Sequence, residues 1–190
     1  MDIEAFILIG GQSTRFGADK AFFLFEGETL GGRAARVAGM ALHAAPVRFV
    51  AASAGQFGSR LTDMVGDIVF DRNPGKGAWS ALDAALSNSA AEWTLVLACD
   101  LPFVSTELLQ QLTGGCIDEV DAVIPRQPDG RLQPLCAVYR TGPARSAVEG
   151  RISSSERLPP VNMLFEDLKT KIIQVDTNEL RNINTPADLY

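Results

Sequence analysis

Three clusters of residues in this chain are of types that do chemistry. The first is Leu8–Lys20, which reads Leu-Ile-Gly-Gly-Gln-Ser-Thr-Arg-Phe-Gly-Ala-Asp-Lys. The apolar run Phe6-Ile7-Leu8-Ile9 breaks into Gly10 and Gly11, and Ser13, Arg15, Gly17 and Lys20 follow. Glycines let the backbone approach an anion, exposed N–H groups point at it, and Arg15 and Lys20 neutralise it. The second cluster is a carboxylate, Asp100, just past the continuous apolar run Trp93–Cys99. A carboxylate at the end of a buried strand suits a hard cation. Mg²⁺ takes one or two such groups and fills its shell with water and phosphate oxygens. The third is Asn182-Ile183-Asn184-Thr185-Pro186-Ala187-Asp188. Alternation in an extended segment points Asn182 and Asn184 to one side, where amides can meet a phosphate, a cation or another polar ligand.

Each cluster has a plainer reading. The glycine loop is not a Walker A loop, since five residues separate Gly11 from Gly17 and Ala18 follows. Nor does Gly10-Gly11-Gln12 supply the dinucleotide fingerprint Gly-x-Gly-x-x-Gly. As a mere turn it would not need so many special residues after one apolar run. Asp100 alone would serve equally as a cap for the turn at Pro102; a phosphate loop in the same chain favours the cation. Thr185 and Asp188 read as a capping box, with Pro186 at the first helical position. That explains these three residues and leaves the two asparagines unexplained.

The elements that must carry these groups alternate between strand and helix patterns, which predicts an α/β sheet with helices on both faces. Strands are expected at the first apolar run, at Val47–Ala51, Ile68–Phe70, Trp93–Cys99, Ala122–Pro125, Leu132–Tyr139 and Lys171–Val175. Leu30, Ala34, Val37, Ala38 and Ala41 fall at helical spacing, with Pro46 as the stop; Ala78, Leu82, Ala85 and Leu86 line a second helix. Ser105 caps a third through Leu112, closed by Gly114-Gly115, and Val161, Leu164, Phe165 and Leu168 suggest a late one. Asp71–Gly77 and Gln127–Arg131 read as loops. With 190 residues, 46% hydrophobic and 21% charged, the chain reads as one globular domain, residues 1–190. The net charge of -6 excludes a general nucleic-acid grip. No targeting or membrane segment is expected. Cys99, Cys116 and Cys136 lack metal-ligand spacing and suggest reduced thiols in a cytoplasmic protein. His43, at a helix end, reads as structural, and Lys76 as a solvated turn lysine.

The first loop, with its spacing Gly-Gly-x-Ser-x-Arg-x-Gly-x-Asp-Lys, resembles the signature of nucleotidyltransferases that act on NTPs. Taken with Asp71 and Gly77-Ala78-Trp79-Ser80-Ala81-Leu82, with Val96–Pro102, with Gln133-Pro134-Leu135-Cys136-Ala137-Val138-Tyr139 and with Asn182–Leu189, the chain resembles the molybdenum cofactor guanylyltransferase family along nearly its whole length. Ala78, Trp79 and Ala81 depart from the family's Pro, Leu and Gly, and Ala51–Ala54 lacks an Asn often found there. The resemblance implies a three-layer α/β/α sandwich, a Rossmann-like nucleotidyltransferase fold with a mostly parallel central sheet. It implies transfer of GMP from GTP to molybdopterin with release of pyrophosphate. Leu8, Gly10, Gly11, Ser13, Gly17, Lys20, Asp71 and Gly77 would then bind GTP, with Asp71 on guanine or ribose. Arg15, Lys20 and Asp100 would be catalytic, with Mg²⁺ on Asp100. Asn182 and Asn184 would contact the acceptor or the metal. Lys20 would meet the phosphates and nothing else. Transient contact with other proteins of molybdenum cofactor synthesis, or with acceptor proteins, is compatible with this. Two rival readings stand beside it: the same chemistry with CTP or another phosphate acceptor, and a non-catalytic nucleotide-binding protein of the same fold.

Overall fold

The computed structural model describes residues 1–10, 19–43, 45–58, 60, 66–155, 157–176 and 178–189. The strands are β1 (Ile3–Leu8), β2 (Leu24–Phe25), β3 (Glu28–Thr29), β4 (Val47–Ala51), β5 (Ile68–Phe70), β6 (Trp93–Ala98), β7 (Ala122–Arg126), β8 (Cys136–Arg140) and β9 (Thr170–Gln174). The helices are α1 (Leu30–Ala41), α2 (Ala78–Asn88), α3 (Thr106–Thr113) and α4 (Thr141–Ser154). Seven strands form one sheet in the order β5-β4-β1-β6-β8-β7-β9. β8 runs antiparallel to both its neighbours; the other pairings are parallel. The expected α/β/α sandwich with a mostly parallel sheet is what forms.

Alternation along the strands feeds two cores. Ala5 and Ile7 of β1 face α1 and α3, whose Ala34, Val37, Ala38, Leu108, Leu109 and Leu112 are buried there. Phe6 and Leu8 face the other way, toward Trp79, Leu82, Ala85 and Leu86 of α2 and Ala144, Val148 and Ile152 of α4. All six residues of β6, parallel to β1 and antiparallel to β8, are buried, as expected of a central strand covered on both faces. Ser105 caps α3 by accepting from Leu108 N at 3.0 Å.

Some elements differ from what periodicity suggested. α4 has little amphipathic signal, because Gly142, Pro143 and Gly150 lie among its residues; it forms because Ala144, Val148 and Ile152 recur every fourth position against the sheet. Pro143 is tolerated in its first turn. The late helix is only a 3-10 turn, Val161–Glu166. The strand expected from Leu132 begins at Cys136; Leu132 makes one isolated bridge to Arg126, and Pro134 offers no N–H to continue the ladder. α1 stops at Ala41, before Pro46, and His43 is exposed with φ of 51°. The β2–β3 hairpin turns on Glu26 and Gly27, both at positive φ, the mirror-image turn that suits strand twist.

Gly10 is needed for a close approach. A Cβ there would lie 2.8 Å from Ala52 N and 3.3 Å from Ala51 C, and backbone cannot yield as a side-chain tip does. Its own N–H donates to Val50 O at 3.0 Å. Gly10→Ala is therefore expected to destabilise the fold by about 1–3 kcal/mol, read as a drop in melting temperature. An unchanged melting temperature would show that the ends of β1 and β4 can part freely.

Candidate active site

The chain goes from β1 to β4 and β5 on one side, then returns to β6 on the other side of β1. Open α/β sheets bind ligands outside the carboxyl ends of strands at such a reversal. Leu8 pairs with Ala98 in register, and Cys99 N donates to Leu8 O at 3.1 Å, so the ends of β1 and β6 are level. The glycine loop leaves from one and Asp100 follows the other. Gly11, Ser13, Arg15 and Gly17 lie outside the described residues. Leu8 and Gly10 are placed. The Leu8 side chain is in the core, so a nucleotide would meet only its backbone.

Lys20 opens a 3-10 turn, Lys20–Phe22, beyond the loop. Its ammonium donates to Ile183 O at 2.6 Å and stands 3.6 Å from Asp100 Oδ2. Ile183 N in turn donates to Asp100 O at 2.9 Å. Lys20 of the first cluster, Asp100 and Ile183 of the C-terminal segment thus meet at one place. This corrects the expectation that Lys20 meets phosphates alone: it also ties Asp100 to the C-terminal segment. The Lys20 and Asp100 side chains are 14% and 28% exposed. Burial pushes the Asp100 carboxyl up from the ordinary range, and the nearby Lys20 charge pulls it back only in part. Such a group has reason to take a further cation.

Ile183 explains the spacing of the two asparagines. It is fully buried against Phe25 and Leu30, with Phe23 and Phe103 beside them, while Asn182 and Asn184 are exposed. The β2–β3 hairpin supplies Phe25, so an element the sequence did not reveal helps seat the segment. Gln133 Nε2 donates to Asn182 Oδ1 at 3.1 Å, Gln127 Nε2 to Leu180 O at 3.2 Å, and Ser105 Oγ to a Glu179 carboxylate oxygen. These pins could not be read from the sequence, because their partners are 49, 53 and 74 residues away.

The local cap at Thr185 is carried by Asp188, whose Oδ2 accepts from Asn184 N at 2.7 Å and Thr185 N at 2.8 Å. This is the backward half of the expected box. These N–H donors hold the Asp188 carboxyl below its ordinary range. A depressed carboxyl adds stability above its unfolded pKa that is lost as pH falls through the folded one. Asp188→Ala should therefore lower the melting temperature at neutral pH and lose that effect in acid; an equal deficit at both would mean a role other than this cap.

Asp71 stands at the end of β5, its N–H donating to Ala51 O at 3.1 Å. Burial pushes its carboxyl up, the Ser80 hydroxyl pulls it down, and the Asp83 charge adds to the rise. Gly77, at φ of 59° and ψ of -131°, precedes α2 in a conformation open to glycine. Lys76 is not a free turn lysine: Nζ donates to Ile152 O at 3.0 Å, at the end of α4. Trp79, where the family has Leu, donates its indole N–H to Pro159 O at 2.8 Å. Cys99, Cys116 and Cys136 are free thiols, each pushed up to about 12 chiefly by burial.

A doubly wound sheet with Gly10 after one strand and a half-buried, lysine-paired carboxylate after its neighbour, both at the reversal, has the layout of an NTP-using transferase. The family model described as the MobA-like NTP transferase domain matches residues 5–158. A protein of Opitutus terrae named "Probable molybdenum cofactor guanylyltransferase" is 33% identical over 187 residues, covering 96% of this chain and 90% of that protein. Its namesake in Pelotomaculum thermopropionicum is 31% identical over 189 residues, covering 96% and 88%. The crystal structure of molybdopterin-guanine dinucleotide biosynthesis protein A from Archaeoglobus fulgidus superposes with a TM-score of 0.74 at 23% identity, over 98% of this chain and 94% of that one; at that identity it shows a shared fold. The chain belongs to the MobA-like NTP transferases, in the family of the molybdenum cofactor guanylyltransferases. It is a nucleotidyltransferase.

Proposed function

We propose that this chain transfers GMP from GTP to molybdopterin and releases pyrophosphate, working with Mg²⁺ in the cytoplasm as one domain over residues 1–190. The observation that carries the reading is the junction of Lys20, Asp100 and Ile183 at the sheet reversal. The printed names of the relatives supply the choice of substrates.

The chemistry is attack by a terminal phosphate oxygen of the acceptor on the α-phosphorus of GTP. The P–O bond to the β-phosphate breaks, and pyrophosphate carries off the electron pair. A phosphomonoester dianion is already nucleophilic, so no side chain needs to take a proton. Catalysis is then positioning and charge stabilisation. Lys20 and Arg15 stabilise the charge on the leaving group. Asp100 fits a hard divalent cation: it is a carboxylate oxygen donor, pushed up by burial and only partly satisfied by Lys20 at 3.6 Å. Mg²⁺ bound there would supply charge neutralisation and orientation at the α-phosphate. Asn182 Oδ1 is engaged by Gln133, which leaves its N–H₂ group for an oxygen of the acceptor. We assign the amide oxygen of Asn184 to the cation.

Asp71 reads the base. A carboxylate accepts from both N1–H and the exocyclic amine of guanine, and a site built for those donors rejects a base that lacks them. Asp71→Ala is expected to lower the ratio of GTP to CTP use; an unchanged ratio would remove Asp71 from base recognition. The whole reading is tested by offering GTP, CTP, ATP and UTP with molybdopterin, and separately with sugar and alcohol phosphates, and weighing the products by mass spectrometry. A GMP adduct of molybdopterin is expected. A CMP adduct, or an adduct of another acceptor, would replace the substrate assignment. Nucleotide binding with no adduct from any pair would favour the non-catalytic reading.

A further inference from the structure

Asp83 lies on α2, and its side chain has no exposed surface. Its chain neighbours Leu82, Ala84, Ala85 and Leu86 are all in the second core. A carboxylate buried there is costly unless it is paired and hydrogen-bonded. It accepts from Arg72 Nη2 at 3.1 Å, from Asn73 Nδ2 at 2.8 Å and from Ser87 Oγ at 3.3 Å. Two of these partners are the residues directly after Asp71. The Ser80 hydroxyl, also on α2, donates to Asn73 O, and Arg72 donates to Ser87 Oγ as well. On its other side Asp71 is tied by its N–H to Ala51 O. The loop that carries the base-reading carboxylate is therefore fastened to α2, with the buried Asp83 charge receiving both Arg72 and Asn73, while Arg72 also stands 3.7 Å from Glu149 of α4.

A buried charge is a demanding way to hold a loop. An apolar residue at position 83 would extend the core, whereas a carboxylate needs its donors in set directions. Arg72 and Asn73 can satisfy it together in few backbone arrangements of residues 71–73, and that restriction fixes where the Asp71 side chain starts.

We propose that Asp83 is a positioning residue for nucleotide selection: through Arg72 and Asn73 it fixes Asp71 where guanine is distinguished from other bases. The inference rests on the reading of Asp71 as the base acceptor. It concerns binding alone and needs no acceptor substrate.

The test is calorimetry of GTP and CTP binding to the full chain in five forms: wild type, Asp83→Ala, Asn73→Ala, Asp71→Ala and the Asp71→Ala/Asp83→Ala double variant. Asp83→Ala is expected to reduce the GTP:CTP affinity ratio about tenfold, and Asn73→Ala to reduce it in the same direction by less. In the Asp71→Ala background, Asp83→Ala should change the ratio no further, because the two act as one unit. A purely structural role would lower the melting temperature and leave the ratio of the two Kd values where it was. An unchanged ratio in folded Asp83→Ala overturns the proposal, as does a full second drop in the double variant. If Asp83→Ala fails to fold, Asn73→Ala decides by the same ratio. An unchanged ratio in Asp71→Ala overturns the base assignment itself, and the proposal with it.

Discussion

Asp100→Asn is expected to lose at least about a hundredfold in turnover while melting no earlier than the wild type at neutral pH. The substitution keeps the shape and removes the charge that would hold the cation. The Ile183 N–H bond survives it, because its acceptor is the Asp100 backbone carbonyl. Lys20 keeps its bond to Ile183 O. The stability argument follows from the direction of the titration. Burial raises the Asp100 carboxyl above its unfolded value, so the stability linked to its protonation is full in acid and lost as pH rises through the folded value. The ionised form therefore weighs against folding at neutral pH, and a neutral amide removes that cost. Steady-state pyrophosphate release and thermal denaturation check the two halves together. Full turnover in the folded variant at limiting Mg²⁺ would take Asp100 out of the site; lost turnover with early melting would make it a structural residue.

Lys20→Ala should do more than weaken GTP. The ammonium holds three things at once: a proposed triphosphate, the Asp100 carboxylate and the Ile183 carbonyl. Its removal leaves a carboxylate without that cation and a carbonyl without that donor, a loss of about 1–3 kcal/mol for a largely buried group. The melting temperature should fall, unlike that of Asp100→Asn. GTP affinity should fall at least about tenfold further than guanosine affinity, since the proposed contact with the nucleotide is to phosphate. Calorimetry with the two ligands separates these effects. Equal losses for GTP and guanosine would reduce Lys20 to a tie between segments.

The sequence carried the sheet order poorly and most strand positions well, the start of β8 excepted. β4 and β5 lie where alternation and turn residues put them, and β6 is legible because a strand buried on both faces is almost wholly apolar, Thr94 being paired with Thr141. α4 was not legible, since glycine and proline hide a stripe of only Ala144, Val148 and Ile152. The β2–β3 hairpin is too short to show a period. Within the site, Asp100 and the Asn-Ile-Asn spacing stood out as chemical types in odd places. What the sequence could not show was that Lys20 closes on both, because that contact spans 163 residues. Asp83 left a faint signal, one acid among Leu82, Ala84, Ala85 and Leu86, which makes sense only once Arg72 and Asn73 are seen to reach it.

We propose that GTP and molybdopterin react at the meeting point of Lys20, Asp100 and the Asn182–Asn184 segment. The most direct measurement is pyrophosphate release from GTP, followed continuously, before and after molybdopterin is added in the presence of Mg²⁺. Negligible release is expected before the addition and one pyrophosphate for each molybdopterin consumed after it, with that release lost in Asp100→Asn. Release that ignores molybdopterin, or that persists at full rate in Asp100→Asn, would contradict it.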